Sequence, residues 1–285
     1  MSTSTVEPVA LQYRFFAAHV VRVRRVGASL IRVTLGGAEL VDFAGGGRDQ
    51  SVSLFLPHPG QAAPVVPVEL GEDWFGGWRA LPPDIRAVMR SYTIREHRPA
   101  VAEVDIDFVS HGDTGPASRW AALAGPGDRV LLLGPGVHDN RSVCFRPPAG
   151  TDLVVLAADE TALPAVAGIL AWLPAGTRVR AWIEVPDAGD ITELATDAHA
   201  EIRWIVRGST PPGSSLLVSA VRAARLPAGT PYAWIAGESG VVRALRRHLV
   251  GERGIDRRRV TFAGYWRRGL SEEDLRAEAF AGATA

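Results

Sequence analysis

Hydrophobic and polar positions divide this chain into two textures. In the first half, His19 to Val26, Leu30 to Leu35 and Ser51 to Leu56 partly alternate apolar with polar residues, and Glu103 to Val109 alternates cleanly. A period of two places the apolar side chains on one face of a strand. Asp128 to Leu133 follows, with Gly and Pro between the segments. Many short strands with turn signals predict a small antiparallel β-barrel. One helix is expected to interrupt it at Gly115 to Ala124. The Pro- and Gly-rich stretch from Pro57 to Pro83 breaks the rhythm and reads as a long loop, with Trp74, Phe75 and Trp78 tucked against the barrel.

After Arg146-Pro147-Pro148-Ala149-Gly150, which reads as a linker, the texture changes. Asp152 to Ala158 is a near-continuous apolar run, as expected of a strand buried on both faces. Helices are expected at Ala162 to Leu173, Ser214 to Ala224 and Val241 to Gly251. Strands are expected at Arg178 to Val185, Glu201 to Val206, Tyr232 to Ala236 and Arg259 to Tyr265. That alternation predicts an α/β doubly wound parallel sheet. The expected domains are 13–146 and 151–285, after a small, polar terminus at 1–12.

A chain of 285 residues is long enough to bury two cores. Its 31 basic residues, all of them arginine, balance 31 acidic ones, which argues against a broad cationic field for nucleic acid. Cys144 is the only cysteine, so no intrachain disulfide or Cys-rich metal site can form. The seven histidines are scattered without metal-ligand spacing. No apolar run reaches the length of a bilayer span, and no signal-peptide pattern opens the chain. A cytoplasmic location is the default expectation. Oligomeric state is left open.

Two stretches carry the candidate chemistry. Arg90-Ser91-Tyr92-Thr93-Ile94-Arg95 lies on an expected strand. Arg90 offers a permanent cation whose fork matches phosphate oxygens. Tyr92 offers an aromatic plate, and Thr93 a hydroxyl. Eighteen residues after Tyr92 begins Ser110-His111-Gly112-Asp113-Thr114-Gly115-Pro116-Ala117-Ser118. Pro116 suits the first position of a helix. Thr114, Ser118 and the free N–H groups there make an anion site with a favourable dipole. In this order the two stretches describe a cradle for FAD.

In the second half no Gly-x-Gly-x-x-Gly occurs. The first parallel strand instead leads into Asp159-Glu160-Thr161-Ala162-Leu163-Pro164, a polar turn opening a helix, with Thr161 as a candidate N-cap. Glu184 ends the next strand, where an acid favours a ribose 2′-hydroxyl. Arg207 follows the third strand and would favour a 2′-phosphate. The balance leans to NADH without excluding NADPH.

The text Met89 to Arg95, Val104 to Gly112 and Gly115 to Ala121 resembles the flavin-binding region of the siderophore-interacting protein family, the flavin-dependent ferric-siderophore reductases. The resemblance runs from about Phe15 to Gly269. It implies a ferredoxin-reductase-like architecture, a β-barrel FAD domain followed by an α/β NAD(P)H domain. It implies that Arg90, Tyr92 and Thr93 hold FAD, and that His111, Gly115, Ala117 and Ser118 complete the site, with Tyr92 and Thr93 nearest the chemistry. Asp159, Glu160, Thr161, Gly237 and Glu238 are expected around the nicotinamide, and Trp266 near the flavin. Arg267 and Arg268, in Gly264-Tyr265-Trp266-Arg267-Arg268-Gly269, are expected to face an anionic ferric siderophore. The chain departs from the family pattern at Ala158, where a glycine is usual, at Val206, where a histidine is frequent, and after Gly134-Pro135, where it reads Gly136-Val137-His138-Asp139-Asn140 and Arg-Gly is usual. The resemblance implies electron transfer from NADH or NADPH through FAD to a ferric chelate. The same fold with a quinone or redox-protein acceptor, and a non-enzymatic siderophore or flavin carrier, are the competing expectations.

Overall fold

The computed structural model describes residues 12–110, 115–138 and 140–283. Six strands close into an antiparallel barrel: β1 (Tyr13–Arg25), β2 (Leu30–Gly36), β3 (Ser51–Leu56), β4 (Val88–Arg98), β5 (Glu103–Val109) and β6 (Arg129–Pro135), in the order β1-β2-β5-β4-β3-β6. Alternate residues fill its interior, among them Phe16, Ala18 and Val20 of β1, Ile31, Val33 and Leu35 of β2, and Val104, Ile106 and Phe108 of β5. The outward-facing residues of β5 are buried too. Asp107 accepts two hydrogen bonds from Arg32, at 2.6 and 2.8 Å, and Asp105 accepts from Thr34 at 2.6 Å and from Arg98. Pairing makes their burial tolerable.

The expected long loop holds a helix, α1 (Trp74–Ala80). Gly76 and Gly77 disfavour a helix, but packing overrides them. Trp74, Phe75 and Trp78 lie over Phe55 and Met89 on the barrel's outer face, and Trp78 donates to the Ala87 carbonyl at 3.0 Å. The loop aromatics are therefore packed, as expected. Helix α2 (Pro116–Leu123) follows β5.

The second half is a five-stranded parallel sheet: β7 (Leu153–Ala158), β8 (Arg178–Val185), β9 (His199–Val206), β10 (Pro231–Glu238) and β11 (Val260–Trp266), in the order β11-β10-β7-β8-β9. Helix α3 (Leu163–Trp172) covers one face, and α4 (Leu216–Ala223) with α5 (Ser239–Arg247) the other. Alternate residues of β7 face opposite ways: Val154, Leu156 and Ala158 pack toward α3, Leu153, Val155 and Ala157 toward α4 and α5. All six are buried, which explains the uninterrupted apolar run. A final helix, α6 (Glu272–Ala283), was not expected from the sequence.

Asp49 bolts the two halves together. One carboxylate oxygen accepts from the backbone N–H groups of Cys144 and Phe145, at 3.1 and 2.9 Å, and the other accepts from the indole of Trp234 at 2.8 Å. Gly168 in α3 lets the Arg48 loop approach so closely that an added Cβ would lie 2.3 Å from the Arg48 carbonyl oxygen.

Candidate functional site

Strand β4 sets the first cluster. Tyr92 packs on Phe108 with ring centroids 4.4 Å apart, and Phe108 lies 5.7 Å from Trp120 of α2. Burial pushes the Tyr92 phenol well above its ordinary pKa, so it stays protonated. Thr93 points the other way, as the period of two requires. It is buried, and its side chain meets the Tyr265 phenol of β11. The two candidate reactive residues of β4 thus face different surroundings, Tyr92 the barrel core beside Phe108 and Thr93 the parallel-sheet half.

Arg90, two residues before Tyr92, borders a cleft of about 950 Å³. Pro116, Trp120 and Trp78 line the same cleft. Gly115 is the N-cap of α2 and supplies no side-chain cap. The N–H groups of Ala117 and Ser118 lie in the first helical turn, where no intrahelical carbonyl is available. Ser118 departs from expectation in one respect: its hydroxyl donates to the Val109 carbonyl at 2.7 Å, so its backbone N–H is the group left for an anion. His111 and Thr114 lie outside the described residues, as does Asp139. A guanidinium, a helix N-terminus whose N-cap is a glycine and an aromatic wall around one cleft fit the diphosphate and rings of FAD. Arg90 also carries partners that sequence reasoning missed. It contacts the Glu273 carboxylate, and its Nε lies 3.8 Å from Glu272, both on α6.

The second cluster sits at the carboxyl ends of β7, β8 and β10, where open parallel sheets bind ligands. Asp159 is its hub. One oxygen accepts from the backbone N–H and the hydroxyl of Thr161; the other accepts from the Glu238 N–H and the Trp266 indole, each at 2.8 Å. Thr161 is not the N-cap of α3: Ala162 holds that position, and Asp159 caps the short 3-10 turn Glu160–Ala162 before it by accepting from the Thr161 N–H. Burial, and then the charge of Glu160, pushes the Asp159 carboxyl up to about 6. Gly237 is required beside it: φ is +137°, and a Cβ there would lie 2.4 Å from an Asp159 oxygen. With both oxygens held, Asp159 shapes this crevice and Trp266 braces it.

Three acidic residues have tasks other than those expected. Glu160 forms two 2.7 Å hydrogen bonds with Arg207, and both side chains are buried. In this structure Glu160 and Arg207 thus satisfy each other's charge. Glu184 is also buried and accepts from the Leu217 N–H at the start of α4. Burial pushes its carboxyl up to about 7, against the opposing charge of Arg207. Glu238 caps α5 through the Gly240 and Val241 N–H groups and reaches the Arg268 N–H at 3.3 Å. Arg267 donates to Glu278 of α6 at 2.9 Å, whereas Arg268 is exposed.

The closed barrel followed by a parallel sheet is the ferredoxin-reductase architecture. The family models are more specific. Residues 19–139 match the siderophore-interacting FAD-binding domain, and residues 151–269 match the siderophore-interacting protein model. The chain belongs to the siderophore-interacting protein family. It is 31% identical over 260 residues to the ferric vibriobactin reductase ViuB of Vibrio cholerae, covering 90% of this chain and 91% of that one. It is 32% identical to the NADPH-dependent ferric-chelate reductase of Escherichia coli, covering 89% and 93%. A siderophore utilization protein from T. fusca superimposes with a TM-score of 0.79 at 37% identity, covering 92% and 96%.

Proposed function

We propose that this chain is a flavin-dependent ferric-siderophore reductase, taking electrons from NADH or NADPH and releasing Fe(II) from a ferric chelate. The observation that carries this reading is the placement of Thr93. It joins the barrel strand bearing Arg90 and Tyr92 to Tyr265, one residue from the Trp266 that braces the Asp159 crevice. A flavin site on the barrel and a nicotinamide crevice on the sheet thereby meet at one seam.

In this reading Arg90 neutralises the FAD diphosphate, and the N–H groups of Ala117 and Ser118 receive its remaining oxygens. Gly115 keeps the approach to them open, and His111 and Thr114 complete the turn. Tyr92 supports the ring system, and its protonated hydroxyl adds no charge beside it. Thr93 would order the seam between the two sites through Tyr265. Bound FAD supplies the conversion between the two electrons of a nicotinamide and the single electron that ferric iron accepts. Asp159, Thr161, Gly237 and Trp266 shape the nicotinamide crevice, while Glu160 and Glu238 hold its walls. Arg268, with Arg267 beside it, draws an anionic chelate toward the mouth. Hard oxygen donors hold ferric iron far better than ferrous iron, so reduction loosens the metal. The division into an FAD module at 13–146 and a nicotinamide module at 151–285 is part of this reading, and so is a cytoplasmic location, where reduced nicotinamides are available. Among the described residues no helix is long and apolar enough to cross a membrane.

The test is anaerobic turnover of the FAD-loaded chain with ferric hydroxamates, catecholates and carboxylates, using both nicotinamides and a ferrous-specific dye. Dye formation that requires FAD and a nicotinamide is expected. Nicotinamide oxidation without Fe(II) release from any chelate would redirect the reading to another acceptor.

A further inference from the structure

Helix α6 has no task in the reading above, yet its acidic side chains hold two of the arginines assigned to anions. Its start is fixed by reciprocal bonds: the Ser271 hydroxyl donates to the Asp274 carboxylate at 2.7 Å, and the Asp274 N–H donates to the Ser271 oxygen at 3.1 Å. From there Glu273 reaches Arg90. Glu272 accepts from the Ser91 N–H at 3.0 Å and from the Ser91 hydroxyl at 2.9 Å. Arg276 donates to the Met89 carbonyl at 3.0 Å and pairs with Glu272. One turn further on, Glu278 pairs with Arg267. Ser271 and Glu273 are themselves part of the lining of the 950 Å³ cleft.

The donors that α6 engages are those an anionic cofactor needs: the Arg90 guanidinium and a free N–H on the edge of β4. Burial would raise the Glu273 carboxyl, but the hydrogen bond and charge of Arg90 outweigh it and hold it below the usual carboxylate range. It is therefore an anion on a cation. It is also an accessible one, because the Glu273 side chain is 42% exposed while Arg90 is 13% exposed. An exposed carboxylate can be exchanged for another anion without leaving a charge buried and unpaired.

Resting on the FAD assignment to Arg90, we propose that α6 is an internal anionic strap that competes with FAD. Seating the diphosphate displaces Glu273 and Glu272 from Arg90 and Ser91. The same displacement draws Glu278 away from Arg267 and frees that arginine for the anionic chelate. Cofactor loading and exposure of the substrate-facing cation are then one event.

The experiment is titration of FAD into the full-length flavin-free chain, followed by flavin fluorescence, for wild type, Glu272→Gln/Glu273→Gln and Arg90→Ala. The double variant keeps shape and removes the competing charges, so it should bind FAD about five-fold more tightly, as expected for an exposed ion pair. Arg90→Ala should bind at least about 10-fold more weakly. Hydrogen exchange of wild type provides an independent arm: amides of residues 274–278 should exchange faster with FAD than without it. A double variant no tighter than wild type, with Arg90→Ala still weakened, overturns the strap and leaves the FAD assignment standing. An Arg90→Ala variant that binds FAD like wild type removes the assignment and the strap together. Slower exchange of 274–278 on adding FAD would make α6 a support of the bound cofactor and also overturn the proposal.

Discussion

Two of the molecule's arginine–glutamate pairs sit in opposite settings. Arg207 and Glu160 meet through two 2.7 Å hydrogen bonds with 6% and 1% of their side-chain surfaces exposed. Arg90 and Glu273 meet at the rim of a cleft with 13% and 42% exposed. The first pair cannot be opened without stranding a charge in the interior, so it is part of the sheet's architecture. The second can trade one anion for another at little cost, so it is available for function. Burial, rather than the identity of the residues, separates an arginine that builds a site from one that serves it.

Breaking each pair from the acidic side tests that contrast. Glu160→Ala leaves the Arg207 guanidinium buried and unpaired, and should lower stability by about 3–5 kcal/mol. Glu273→Ala should change it by less than about 1 kcal/mol. Urea unfolding of the two variants checks both; similar losses would erase the distinction. An intermediate effect is expected from pH. An unfolded Glu titrates near about 4.3, whereas the Glu184 carboxyl is pushed up to about 7 by burial. The raised pKa favours the folded state most at low pH, and that advantage is lost as pH rises through about 7. Wild type should therefore lose about 2–3 kcal/mol relative to Glu184→Gln between roughly pH 4 and pH 8. Parallel stability–pH curves for the two proteins would show that Glu184 is solvated.

The two halves were also unequally legible in sequence. The barrel was readable because apolar and polar residues alternate along strands such as β5, so Val104, Ile106 and Phe108 stand out from the acidic residues between them, which arginines pair on the outer face. The strand β7 was readable for the opposite reason, being buried on both faces. At the sites, Arg90, Tyr92 and the start of α2 carried local signals, and the structure gathers Arg90 and α2 around one cleft, with the rings of Tyr92, Phe108 and Trp120 in a row beside it. Glu160, Glu184 and Arg207 were read as ligands because charged residues at strand ends are usually solvated. Their partners lie far away in sequence, 47 residues for Glu160 and Arg207, and only folding reveals them. Asp49 gave no signal for the same reason, since its partners are at 144, 145 and 234. Helix α6 is marked in the sequence by Ser271 and Asp274, which have the spacing of a capping box.

The most direct measurement is the visible absorption spectrum of the chain after saturation with FAD and desalting, recorded for wild type and Tyr92→Ala. Wild type should retain one flavin per chain with bands shifted from those of free FAD. In Tyr92→Ala those bands should move back toward the free cofactor, because the ring has lost its support. A wild-type chain that emerges colourless, or identical bound spectra in the two proteins, would contradict the seating of FAD on β4.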